Sequence, residues 1–294
     1  MTDTVAIFDP KAVRAHRARA ARLPADGRFL ERAARERLVD RLDEVRRRFP
    51  LVLDLGSGDG DLAQMLAAGG HAADIISFDA VPGFAVRGVR SVVGDAEALP
   101  FAASSIDLAI ANLVLHWTND LPGALWQLAR ILKPDGLLLA TLWGGETLAE
   151  LRESLMQADL EISSGAGPRV SPFTDVRDAG ALLQRAGFAL PVVDSELLTV
   201  TYPDMFALIR DLRAMGETNA VKLRRMGFTS RAIMLRAAEI YAKRFAEPGG
   251  RIRASFQLLT LTGWAPHASQ PKPLRPGSAA HSLAEALKSG LPKA

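Results

Sequence analysis

The stretch "LVLDLGSGDGDLAQML", residues 51–66, decides how this chain is read. An apolar run broken only by Asp54 is followed by Gly56, Gly58 and Gly60, then by an amphipathic run starting at Asp61. The apolar run has the composition of a strand buried on both faces. The amphipathic run has helical spacing and ends at Gly69, a helix-stop signal. Glycines at the joint let the backbone approach a ligand that a side chain would exclude. A dinucleotide fingerprint would place a further glycine at position 61, where this chain has Asp61. Asp59 and Asp61 would also set carboxylates beside a pyrophosphate. An acidic loop better suits a ligand carrying an ammonium and a sulfonium.

Outward from this stretch, strands and helices alternate. "DIISFDA", "VRSVVGDA", "IDLAIANLVLHW" and "LLLATLW" read as further strands, with a helix over "DLPGALWQLARILKPDG". That rhythm predicts an α/β fold with a doubly wound, mainly parallel sheet. After Gly145 helices are expected over "ETLAELRESLMQADLE" and "TDVRDAGALLQRAGF", then a strand "VVDSELLTVTY", helices near 204–215 and 229–246, and a last strand "RASFQLLTLTGW". Two helices, near 10–22 and 28–48, precede the alternating part, separated by Pro24 and Gly27. The expected units are an N-terminal helical lid over 1–49, a ligand-binding core over 50–202, a helical insertion over 203–250, a last core strand over 251–266 and a flexible tail over 267–294.

Composition removes several classes of function. With 48% hydrophobic and 23% charged residues the chain has the balance of a water-soluble globular protein. It contains no cysteine, which excludes disulfides, thiolate zinc sites and cysteine nucleophiles. The start "MTDTVAIFDP" lacks an apolar signal core, so an intracellular, cytoplasmic protein is expected. Residues 1–50 carry Lys11 and twelve arginines against eight acids. Because both signs alternate around Leu38, Leu42 and Val45, we read this segment as a solvated amphipathic helix rather than a nucleic-acid surface.

Acids recur at the ends of the expected strands. Asp79 ends the second, nineteen residues after Gly60, where a carboxylate can accept ribose hydroxyls. Asp95 ends the third, within reach of an adenine amino group. His116 and Trp117 follow the fourth strand; His116 has the chemistry of a general base, and Trp117 that of a ring packed over a guanidinium. A histidine and tryptophan closing the core edge would look the same in sequence. Asn112, Trp143 and Glu146 lie at neighbouring strand ends. None of the five histidines begins a His-x-Asp or His-x-Glu pair, so no metal site is expected.

The motifs "VLDLGSGDG", "FDA", "GDAEALPF", "IDLAIANLVLHW" and "LARILKPDGLLLAT" resemble the ordered motifs of class I S-adenosylmethionine-dependent methyltransferases. The resemblance implies a seven-stranded Rossmann-like sheet and S-adenosylmethionine as cofactor. Asp54, Gly56, Ser57, Gly58 and Gly60 would then line its methionine end. Asp79 and Ala80 would hold the ribose, Asp95 and Ala96 the adenine, and Asn112 would lie near the sulfonium. Beyond the core, "LWGGETLAELRESL", "RVSPFTDVRDAGALLQRAGF", "YPDMFALIRDLRAMGETNA" and "FQLLTLTGWAPHASQPKPLRPGSA" are similar to the respiratory complex I assembly factors of this fold. Those are described as hydroxylases of an arginine in a complex I iron–sulfur subunit. The likeness implies a protein partner, with His116, Trp117 and Asn112 near the chemistry, and a location in the cytoplasm or peripheral at the inner face of the membrane. Gly216, Glu217 and Asn219 share that pattern without an assigned role. Methyl transfer to a carboxylate, as in the malonyl–acyl carrier protein O-methyltransferases, and a non-catalytic assembly chaperone are the alternatives.

Overall fold

The computed structural model describes residues 6–45, 47–84, 90–163 and 165–271. Most of the tail expected from His267 onward therefore lies outside the described residues. Seven strands form one sheet: β1 (Phe49–Leu55), β2 (Ala72–Asp79), β3 (Arg90–Val93), β4 (Ile106–Asn112), β5 (Leu132–Trp143), β6 (Ala189–Tyr202) and β7 (Ile252–Trp264). Their order is β3-β2-β1-β4-β5-β7-β6. β3, β2, β1, β4 and β5 run parallel, while β7 is antiparallel to both β5 and β6. This is the doubly wound, mainly parallel α/β sheet that the sequence predicts.

The apolar strands are buried on both faces because helices cover both. Val52, Leu108, Ile110, Leu137 and Leu139 pack with Leu38 and Leu42 of α2 (Phe29–Val45) and with Leu62 and Leu66 of α3 (Asp61–Ala68). Their neighbours Leu53, Ala109, Ala111, Leu138 and Ala140 point the other way, onto Leu125 and Leu128 of α4 (Leu121–Ile131) and Leu183 of α6 (Val176–Arg185). The period of two along each strand sets this division. The long edge strand β6 is tied to α2 by Arg37–Glu196, at 2.8 Å, and by Arg41–Asp194.

A third apolar cluster lies beyond the sheet. It joins α5 (Ala149–Ile162), α7 (Met205–Met215) and α8 (Arg231–Arg244) to Trp143 of β5 and to Phe256 and Leu258 of β7. The insertion between β6 and β7 thus enlarges the core and also overhangs the carboxyl ends of the parallel strands. The N-terminal helix α1 (Pro10–Ala20) meets it from the other side. Phe8 bridges to Val221, the Asp9 amide donates to the Ala220 carbonyl at 2.8 Å, and Arg224 pairs with Asp9 at 3.0 Å. The N-terminal arm and the segment after α7 therefore form one connected cover. Among the described residues no helix is long and apolar enough to cross a membrane.

Candidate active site

Strand register gathers the expected site residues. Leu55 stands level with Phe78 of β2 and Ala111 of β4, and Asn112 level with Thr141 of β5. The chain leaves these strands along one edge of the sheet, and the glycine loop starts there. Gly56 (φ +74°) is held by its close neighbour: a Cβ there would lie 2.6 Å from the Val114 side chain. Gly58 (φ +55°) is different, because a Cβ would find its nearest atom only at 3.8 Å and would fill the cleft instead. Gly60, at φ +81°, starts α3. Leu113, at φ +48°, reverses the chain after β4 and seats Val114 over Gly56. A non-glycine residue in that region stores strain, here beside the cleft.

Asp54 is buried beneath the loop, and neither carboxyl oxygen has a hydrogen-bond partner among the described residues. Burial pushes its pKa up to about 7, against an opposing pull from Arg35. Glu31 of α2 is likewise pushed up to about 7 by burial, opposed by Arg35 at 3.2 Å. The loop is less acidic than the sequence implies. Arg35 pairs with Asp59 at 2.9 Å and with Asp61 at 3.1 Å, and Arg28 reaches Asp59 at 3.3 Å. These two arginines are buried, so not every charge of the amphipathic N-terminal segment is solvated as expected. Asp54 is left with neither an ion pair nor a hydrogen bond among the described residues. A buried acceptor pair of this kind is satisfied by a cationic ligand group such as an ammonium.

Asp79 accepts the Val81 amide at 2.9 Å and the Gly58 amide at 3.2 Å, and forms an ion pair with Arg17 at 2.7 Å. Ala80, Asp95 and Ala96 line the same part of the cleft. Asp95 caps its own turn by accepting the Glu97 amide at 3.0 Å. The Asn112 amide lines the inner part of the cleft with Ser57 and Gly58. It donates to the Glu31 carbonyl at 3.1 Å and accepts from the Thr141 hydroxyl at 2.8 Å, pinning α2 to the strand ends. Arg17 and Gly56 border both parts of the cleft, so the arginine divides it.

A second cavity, of about 450 Å³, opens beside the first. Trp117, Trp143, Phe173 and Phe256 give it aromatic walls, and Ile209, Leu212 and Met234 of α7 and α8 close it from above. Glu217, just past Gly216 at the end of α7, is its one carboxylate. One Glu217 oxygen meets His116 Nε2 at 3.1 Å and the other accepts from Trp117 Nε1 at 3.4 Å. His116 does not itself line the cavity. It sits behind Glu217, with Nδ1 buried and unpartnered among the described residues. Trp117 borders both the cavity and the Asp79–Asp95 part of the cleft.

Trp143 reaches the cavity, whereas Glu146 turns away to Gln257. Asn219 braces the wall by donating to the Pro168 carbonyl at 2.7 Å. Arg169, on that wall, is held by the buried Asp159 through two contacts of 2.6 Å. Among the described residues no group of three or more His, Asp and Glu stands where it could hold a metal ion.

Residues 53–140 match the family described as "Methyltransferase domain". The human protein "Arginine-hydroxylase NDUFAF5, mitochondrial" is 40% identical over 289 residues, covering 96% of this chain and 84% of its own. The chain belongs to the S-adenosylmethionine-dependent methyltransferase superfamily. Within that superfamily it is also 34% identical to "Malonyl-[acyl-carrier protein] O-methyltransferase" of Methylovorus sp. (strain MP688), over 91% of this chain and 93% of that one. Among solved structures, the YcgJ protein of Bacillus subtilis superposes with a TM-score of 0.55 at 18% identity, covering 78% of this chain and 98% of its own. That likeness concerns the fold.

Proposed function

We propose that the chain binds S-adenosylmethionine and modifies an arginine side chain of a protein partner. In this reading the ammonium of the cofactor meets Asp54, and its methionine end follows Gly56, Ser57, Gly58 and Gly60. Asp79 and Ala80 take the ribose, and Asp95 and Ala96 the adenine. Asn112 stands at the inner wall, beside the sulfonium. The orphaned carboxylate of Asp54 and the open space at Gly58 support this fit. Bound there, the cofactor would supply a sulfonium cation with an electrophilic methyl group, the chemistry of methyl transfer. Hydroxylation would instead take its oxygen atom from dioxygen, with a two-electron reductant as co-substrate and water as the second product.

The observation that carries the choice of acceptor is Glu217, the one carboxylate lining the cavity, beside aromatic walls; of the arginines that also line it, Arg169 and Arg224 are engaged by Asp159 and Asp9. A guanidinium entering that cavity gains a charge-assisted hydrogen bond and ring faces. His116 acts as a positioning residue, because it holds Glu217 and does not line the cavity, whereas Trp117 holds Glu217 and also forms part of the cavity wall. The relatives named arginine-hydroxylase support hydroxylation as the reaction. The partner in this reading is an iron–sulfur subunit of complex I, which rests on the resemblance of the sequence motifs to the complex I assembly factors.

Mass spectrometry of that subunit, from cells with and without the gene, tests the reading. An arginine heavier by one oxygen, reverting when the gene is deleted, is the expected result. A methylene at that arginine would replace hydroxylation by methyl transfer. An unmodified subunit that still fails to assemble in the deletion would leave a chaperone.

A further inference from the structure

From Thr218, just past α7, to Ala238 within α8 the chain carries no acid, yet holds Lys222, Arg224, Arg225, Arg231 and Arg236. Arg224 and Arg236 have carboxylate partners, in Asp9 and Glu161. Lys222, Arg225 and Arg231 have no ion pair among the described residues. Interleaved with these cations are Leu223, Met226 and Phe228, which are 84%, 79% and 109% exposed. No other large apolar side chain among the described residues exceeds 62%.

This segment is anchored rather than loose. Ala220 and Val221 are buried against Phe8 and Trp117 at one end, and Ser230 caps α8 at the other. Its apolar side chains nevertheless face outward. Arg225, Phe228 and Thr229 also line the 450 Å³ cavity, so the segment is the rim of that cavity as well as an outer surface.

We propose that residues 222–231 are a docking surface for an acidic stretch of polypeptide bearing large apolar residues, which flanks the acceptor side chain in the partner. Unpaired cations are complementary to carboxylates, and exposed apolar side chains to apolar ones. Continuity with the cavity selects a polypeptide over a lipid surface: the occupant must run along the rim while presenting one side chain inward. The inference rests on a protein being the acceptor, and it holds whether or not the acceptor residue is arginine.

The test uses the full chain and three synthetic peptides sharing the same apolar residues. The first has aspartates and glutamates around a central arginine, the second has lysines in their place, and the third keeps the acids but replaces the arginine by leucine. Fluorescence anisotropy should show both acidic peptides binding at least tenfold more tightly than the lysine peptide. The combined variant Leu223→Ser, Met226→Ser, Phe228→Ser should lose at least tenfold, as should Lys222→Glu with Arg225→Glu. Both should keep the melting temperature and the affinity for S-adenosylmethionine. Equal binding of acidic and lysine peptides, or variants that bind as the wild type does, would overturn the proposal. So would binding to phosphatidylserine vesicles with no binding to any peptide, which would assign the surface to a membrane. Failure of the arginine reading registers separately, as an unmodified partner whose acidic stretch still binds.

Discussion

Arg17 Nη2 lies 2.7 Å from Asp79 Oδ2, so the carboxylate at the end of β2 is already engaged by a cation from the N-terminal arm. Both side chains are nearly buried, and the arginine divides the cleft in which the cofactor is proposed to lie. A ligand that uses Asp79 must displace Arg17, and the energy of that displacement is subtracted from its affinity. The two residues should therefore respond in opposite directions. Asp79→Ala is expected to weaken S-adenosylmethionine binding by ~1.5–3 kcal/mol, the range for hydrogen bonds to a charged group. Arg17→Ala should tighten it, by about tenfold if the ion pair opposes binding by roughly 1.4 kcal/mol. Calorimetry on the two variants checks both signs; weaker binding by Arg17→Ala would make the arginine a ligand contact instead of a competitor.

In the proposed site, an ammonium against Asp54 would link cofactor binding to pH. Its folded pKa, about 7, lies above the ordinary value of 3.8, so the protonated carboxyl favours the fold. That contribution is complete below the unfolded pKa and is lost as pH rises through about 7. An ammonium placed against Asp54 favours the ionised form and lowers this pKa. Binding at about pH 6 should then release a proton, visible as a dependence of the binding enthalpy on the buffer's ionisation enthalpy. Asp54→Asn should abolish most of that dependence. Glu31 titrates in the same range, so Glu31→Gln measures its share separately.

Gly56 and Gly58 should fail differently when a methyl group is added. Gly56→Ala drives a Cβ to 2.6 Å from Val114, in a backbone conformation that alanine resists. Loss of fold stability, read as a lower melting temperature, is expected there. Gly58→Ala has room, with its nearest contact at 3.8 Å, and should cost only ~1 kcal/mol of backbone strain. It should fold and yet bind cofactor poorly, because the methyl group occupies the cleft. A Gly58→Ala protein with unchanged affinity would move the ligand away from this loop.

Glu217→Gln keeps the size of the side chain and removes its charge. Turnover of an arginine acceptor should fall roughly tenfold to a hundredfold, corresponding to ~1.5–3 kcal/mol for a hydrogen bond to a charged group. Cofactor affinity should stay close to that of the wild type. Glu217→Ala also strands the Trp117 indole N–H and His116 Nε2, and should cost a further ~1–3 kcal/mol of stability. Undiminished turnover by Glu217→Gln would remove the carboxylate from acceptor recognition.

The sequence alone determined what depends on local pattern. Alternating runs dictate strands, glycines at 56, 58 and 60 dictate the turn, and glycine and proline breaks dictate where helices end, because each rests on interactions within a few residues. Asp79 and Asp95 are candidates for the same reason, each at the end of an expected strand, whereas Asp54 is a candidate only through the resemblance to the methyltransferase motifs. Tertiary structure decided what depends on which helix face turns inward. Arg17 meets Asp79 across 62 positions of sequence, and Glu217 meets His116 across 101. Periodicity on α2 marks Leu38 and Leu42 as buried but cannot tell a solvated arginine from Arg35, which follows the same face into the cleft. In the "MGETNA" stretch the sequence assigns Glu217 no role, since a carboxylate acquires its chemistry only from the groups that long-range packing sets beside it.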